Sequence, residues 1–98
     1  MQDILELSDF EPYLNQAFSL QFTPEVSLPA VLIEARSIKS YTPAEREPFK
    51  LIFRTDQKDE YYNQAIVMVK HPSKGDQGIF LVPVGPDAAG MRYEAIFS

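Results

Sequence analysis

The chain predicts a mainly β fold: a compact antiparallel barrel or sandwich of about six strands, with a short N-terminal helix. Three observations carry this expectation. From Phe18 onward apolar residues recur at every second position, the period of a half-buried strand. Breaks rich in Pro, Gly and charged residues separate these runs at intervals that suit hairpins. The closing stretch, IFLVPVGPDAAGMRYEAIFS, reads as two apolar strands joined by a tight connection, so the C-terminus is expected to be tied into the core.

In chain order, LSDFEPYLNQAF predicts the helix. Ser8 or Asp9 can cap it, and Ser8 with Glu11 has the spacing of a capping box. Pro12 is tolerated only in a first turn, which favours Asp9 as the cap. Leu7, Phe10, Leu14 and Ala17 then fall near one face. FSLQF places Phe18, Leu20 and Phe22 on one side of a strand, and Thr23-Pro24-Glu25 turns the chain. LPAVLIEARSI is a long strand, bent or straight, with Val31, Ile33 and Ala35 facing away from Leu32, Glu34 and Arg36; its pattern alone also fits a helical segment. YTPAEREP is a polar loop. FKLIFR directs Phe49, Leu51 and Phe53 inward and Lys50, Ile52 and Arg54 outward. TDQKDE connects to a strand in YYNQAIVMVK, and HPSKGDQG is a turn region. If Val84 lies opposite Met91 in the last hairpin, Phe80, Val82, Tyr93 and Ala95 share the inner face, while Leu81, Pro83, Arg92, Glu94 and Ile96 face out. Pro83 donates no ladder hydrogen bond, which predicts an edge, a bulge or a local break there. The expected organisation is one domain over 1–98, with a helical segment at 1–17 and a β core at 18–98.

Composition narrows the function classes. Of 98 residues, 45% are hydrophobic and 23% charged, as in a globular chain. The net charge of −5 argues against nucleic acid as a partner. No apolar run is long enough to span a bilayer. An acidic N-terminus is unlike a signal peptide, and the absence of cysteine removes disulfides and thiolate metal sites, so a cytoplasmic location is expected. Residues 1–35 hold Asp3, Glu6, Asp9, Glu11, Glu25 and Glu34 and no Lys or Arg. Either this acidic third folds back on the more basic remainder, or it presents an acidic face to a basic partner.

Candidate chemistry is sparse. His71, the only histidine, would need an orienting partner to act as a base, and a turn residue packed by its ring accounts for it equally. Asp56, Asp59 and Glu60 lack the spacing and glycine of a calcium loop. Glu45 and Glu47 lie in a Pro-bounded loop with no expected burial to raise a pKa. The glycines of SKGDQG and GPDAAG match neither a P-loop nor a dinucleotide fingerprint. No catalytic residue, cofactor or metal ligand is therefore assigned. The outer residues Ile52, Arg54, Leu81, Arg92, Glu94 and Ile96, together with Tyr61 and Tyr62, form a candidate interaction surface.

The segments FKLIFRT and VKHPSKGDQGIFLVPVGPDAAGMRYEAIFS resemble a small bacterial domain family of unknown function. Its pattern runs F-x-L-x-F-R, then H-P-x-x-G, F-L-V-P-V and G-x-x-Y-E-A-x-F, and the resemblance covers residues 18–98. Thr55-Asp56 stands where a Gly-Pro pair is expected, so the resemblance does not extend to the shape of that turn. It implies a stand-alone β-rich domain without assigned activity, accessory to a phage-tail-like assembly. Three functional expectations follow. The first is a non-enzymatic interaction domain that binds a protein partner or itself. The second is a small-ligand barrel lined by Phe18, Phe22, Phe49, Phe53 and Tyr93. The third is a hydrolase using His71.

Overall fold

The computed structural model describes residues 5–38 and 47–97. The predicted loop YTPAEREP therefore lies, through residue 46 and including Glu45, outside the described residues, as does Asp3. The expected short N-terminal helix is present as two consecutive 3-10 turns, Leu7–Asp9 and Glu11–Tyr13. Pro12 has no N–H, so the ladder of an α-helix cannot run through it. The segment closes with i→i−3 bonds instead, Phe10 N–H to Leu7 O and Tyr13 N–H to Phe10 O, both 2.9 Å. The capping assignment also changes: Asp9 sits at the end of the first turn, and its carboxylate accepts the Glu6 N–H at 2.8 Å. Asn15, at φ 70°, then turns the chain toward the sheet and donates to Leu32 O at 2.7 Å.

Six strands follow: β1 (Ala17–Thr23), β2 (Val26–Ser37), β3 (Phe49–Arg54), β4 (Ala65–His71), β5 (Gly75–Pro86) and β6 (Met91–Phe97). All neighbours are antiparallel, and the order β1-β2-β3-β6-β5-β4 closes on itself into a barrel. Closure leaves no free sheet edge among these strands. The seam between β1 and β4 is short, with pairing only at Ser19–Lys70, Leu20–Val69 and Gln21–Met68.

Two bulges revise the predicted faces. In β2 the register shifts between Leu32 and Glu34, so Leu32 and Ala35 face the core while Val31, Glu34 and Arg36 face out. In β5 it shifts between Pro83 and Gly85, leaving Val84 as the extra residue. Pro83 has no donor and Gly85 adopts φ 105°, a left-handed conformation glycine takes without strain. Met91 therefore pairs with Pro86, not Val84, and Tyr93 pairs with Pro83. A one-residue slip sends every side chain to the opposite face. Upstream of the bulge, Ile79 and Leu81 are buried and Phe80 is exposed, the reverse of the predicted arrangement. The β6 assignment stands, with Tyr93 and Ala95 inside and Glu94 and Ile96 outside.

The interior is filled with large side chains, among them Phe18, Leu20, Phe49, Phe53, Val69 and Tyr93. Phe18 meets Phe53 edge-on at 5.3 Å, and Phe49 stacks on Phe97 at 4.5 Å. Phe10 plugs one end, its ring 5.2 Å from His71 and 6.2 Å from Phe49. An eight-stranded barrel is only just wide enough for its side chains to fill, and six strands enclose less. The rings expected to line a ligand cavity instead pack against one another. The acidic N-terminal third does fold back: Asp9 approaches Lys74 Nζ at 3.7 Å, and Glu34 approaches Lys50 Nζ at 3.3 Å. Among the described residues no helix is long and apolar enough to cross a membrane.

Candidate functional site

His71 ends β4 beneath the N-terminal plug, buried against the rings of Phe10, Tyr13 and Phe18. Its Nε2 lies 2.6 Å from Asp9 O, a carbonyl that can only accept, so Nε2 carries the proton. Nδ1 accepts the N–H groups of Ser73 and Lys74, each at 3.1 Å. Both ring nitrogens are thus engaged by backbone, and the ring ties the β4–β5 turn to the N-terminal segment. Among the described residues no carboxylate hydrogen-bonds the imidazole, and the ring is buried. His71→Ala would leave two amides and a carbonyl without partners inside an aromatic cluster. We expect a loss of about 2–4 kcal/mol in chemical denaturation; an unchanged midpoint would show that the ring is not a structural tie.

At the opposite end, a polar cluster closes the barrel. The Tyr93 hydroxyl donates to Gln57 Oε1 at 2.6 Å and accepts the Tyr62 N–H at 3.0 Å. Burial pushes the Tyr93 phenol above its ordinary pKa, partly opposed by the hydrogen bond from Tyr62. Tyr62 stacks on Phe22 at 4.6 Å, so it belongs to the packing of this end and is not an exposed anchor. Tyr61 is exposed and overhangs an open depression of about 290 Å³ with Pro83, Gly85, Pro86 and Met91.

The predicted surface residues separate. Leu81 points into the core. Ile52 is on the outer face but buried, flanked in register by Glu34 and Glu94, with Lys50 Nζ at 3.3 and 3.7 Å from their carboxylates. Arg54 reaches the β5–β6 loop, its Nη1 3.2 Å from Asp87 Oδ2. Hydrogen bonds from the Ala89 and Gly90 amides and from Arg54 hold the Asp87 carboxyl below its usual pKa against a smaller opposing desolvation. Arg92 donates from Nε to Gly85 O at 3.2 Å. Of the predicted apolar trio only Ile96 stands exposed.

Ile96 has other company. Ile66 and Phe80 face each other across β4 and β5 on the outer surface, and Met68 lies beside them opposite Gly78. Ile96 stands on the next strand, two residues beyond the Val82–Glu94 pair. The exposed fractions are 73% for Ile66, 51% for Phe80, 56% for Ile96 and 40% for Met68. At roughly 150–250 Å² per large side chain, they leave on the order of 400 Å² of contiguous surface. The largest apolar patch on a typical folded monomer is of this size, about 300–600 Å², and is often functional. The sequence carried a signal for it: AIVMVK is apolar on both faces, whereas a strand with one solvated face alternates. Phe80 was hidden by the bulge at Val84.

A second concavity of about 260 Å³ gathers Glu6, Glu11 and Glu47 around Leu7 and Ser8. Among the described residues, no group of three or more His, Cys, Asp or Glu side chains is arranged to hold a metal ion.

The chain matches the DUF6916 family, a domain of unknown function, over residues 5–97. It belongs to that family. The match begins before the 3-10 turns and ends with β6, so the family's extent coincides with the barrel and its plug. No curated protein and no solved structure matches the chain. The family carries no assigned activity to transfer, and function has to be argued from the DUF6916 surface itself.

Proposed function

We propose that the domain is a non-enzymatic docking module that binds protein through the outer face of β4, β5 and the end of β6. The observation that carries this reading is the group of exposed apolar side chains Ile66, Met68, Phe80 and Ile96 on the neighbouring strands β4, β5 and β6. The closed sheet offers no edge for strand addition, so recognition takes place through side chains. Phe80 at the centre, with apolar neighbours around it, has the character of an anchor residue. A partner in a phage-tail-like assembly is the setting suggested by the resemblance of the strand motifs to a bacterial family.

A photoreactive residue placed at position 80 tests the reading in living cells. Glu11, exposed in the second 3-10 turn and lining a concavity with Glu6 and Glu47 that no patch residue shares, is the control position. Covalent adducts are expected from position 80 and not from position 11. Adducts from neither position, or equally from both, would defeat the proposal.

A further inference from the structure

We infer that the docked protein is a second copy of this chain, an inference that rests on the docking reading above. The patch is self-complementary. Gly78 has no side chain and lies on the outer face between Met68, its cross-strand partner, and Phe80 two residues along β5, leaving a notch beside a protruding ring. A two-fold axis lying in the interface, across β4 and β5 midway between the Ile66–Phe80 and Met68–Gly78 pairs, seats each Phe80 in the other copy's notch. The same axis lays Ile66 of each copy on Met68 of the other, and Ile96 flanks the ring. Such reciprocal contacts define an isologous interface.

Charge points the same way. The chain carries −5, so two copies repel over most of their surfaces. Around this patch the signs offset one another. Lys70 faces Asp76 across β4 and β5 at one border, and Lys50 and Arg36 are paired with Glu34 and Glu94 at the other. An apolar centre with a balanced rim is where two like-charged molecules approach at least cost. The four side chains supply about half of the roughly 800 Å² per partner of a standard interface, which sets the pair at the weak end, with Kd on the order of 10 µM.

Sedimentation equilibrium on the chain from about 1 to about 500 µM, spanning that Kd, is the test. The wild type is expected to pass from monomer to dimer. Phe80→Ser removes the ring, and Gly78→Thr fills the notch. A Cβ at Gly78 meets only Ile66 Cγ2, at 3.2 Å, so the added group displaces the end of an exposed side chain and no backbone atom. Each is expected to weaken the dimer at least about tenfold, with unchanged circular dichroism and melting of the monomer. A wild type that stays monomeric throughout overturns the inference, and so does a dimer that both variants leave intact. The adducts at position 80 separate this failure from that of the docking reading. An adduct of twice the chain mass supports the dimer. One of any other mass rejects the second copy while the docking face stands.

Discussion

Gly90→Ala is expected to destabilise the domain by roughly 3–5 kcal/mol, a range reached by few single substitutions. Gly90 closes the β5–β6 loop where β3 ends, and a Cβ added there would lie 1.7 Å from Thr55 O and 2.9 Å from Thr55 C. Those atoms are backbone and cannot rotate away. Thr55 is buried and fixed to the next residue of the loop, its N–H donating to Met91 O at 2.9 Å and its hydroxyl lying 3.3 Å from the same oxygen. The loop is equally constrained, because the Asp87 carboxylate accepts the Ala89 and Gly90 amides and the Asp87 N–H donates to Gly90 O at 2.8 Å. Any movement that admits a methyl group breaks one of these sets. For a domain of this size each kcal/mol lowers the Tm by about 4–8 °C, so a fall of roughly 15 °C or more is expected. Gly75→Ala is the contrast. Gly75 has φ 74° but nothing within 4 Å of its Cβ position, so only a backbone cost of about 1–2 kcal/mol applies. Equal effects at the two positions would show that the close approach of Gly90 to Thr55 is not what requires glycine.

Removing residues 95–98 is expected to abolish cooperative folding. The deletion takes away Ala95, buried against the core, and Phe97, whose ring stacks on Phe49 at 4.5 Å and lies 6.3 Å from Phe10. It also removes the pairings Leu51–Ala95, Lys50–Ile96 and Phe49–Phe97, half of the β3–β6 ladder. Loss of a fully buried aromatic ring costs about 3–5 kcal/mol, and removal of the half-buried Phe97 together with buried Ala95 costs on the order of 3 kcal/mol. With the ladder hydrogen bonds added, the total approaches the 5–15 kcal/mol typical of a whole domain. The shortened chain should melt without a sharp transition and bind a hydrophobic dye, because Phe10 and Phe49 lose their cover. Ile96→Ser, at an exposed position, should change stability by only about 0.5 kcal/mol. A shortened chain that melts like the full one would show that the last strand is not a wall of the core.

Strands β1, β3 and β6 were legible because each carries a two-residue period, and their inward rows follow directly from it. The barrel's closure was not. Alternation reports which side of a strand is apolar and is silent about its neighbour. The β5 face was misassigned because Val84 is an ordinary strand residue, and only the register with β6 shows it as a bulge. Pro83 gave notice of an irregularity without its direction. The N-terminal segment has a helical apolar spacing, but Pro12 and the bond from Asn15 to Leu32 outweigh it. For the surface, Glu94 and Ile96 were correctly placed outside. Ile52 was placed outside as well, yet Lys50 and its two carboxylates cover it. The patch that is exposed draws mainly on β4, whose apolar outer face runs against the expectation of a solvated strand.

The three-residue seam between β1 and β4 bears on how the chain becomes a barrel at all. The hairpins β1–β2, β4–β5 and β5–β6 join neighbours in sequence and lose little chain entropy in forming. Sealing the circle requires distant segments to meet, both at that seam and between β3 and β6, before any pairing there compensates the ordering. The search is long and the ladder that ends it is brief. The Phe10 plug, packed on His71 of one strand and Phe18 of the other, adds apolar contact across the same junction. The segment that looks like a lid on the finished molecule is also the latch that holds the ring shut.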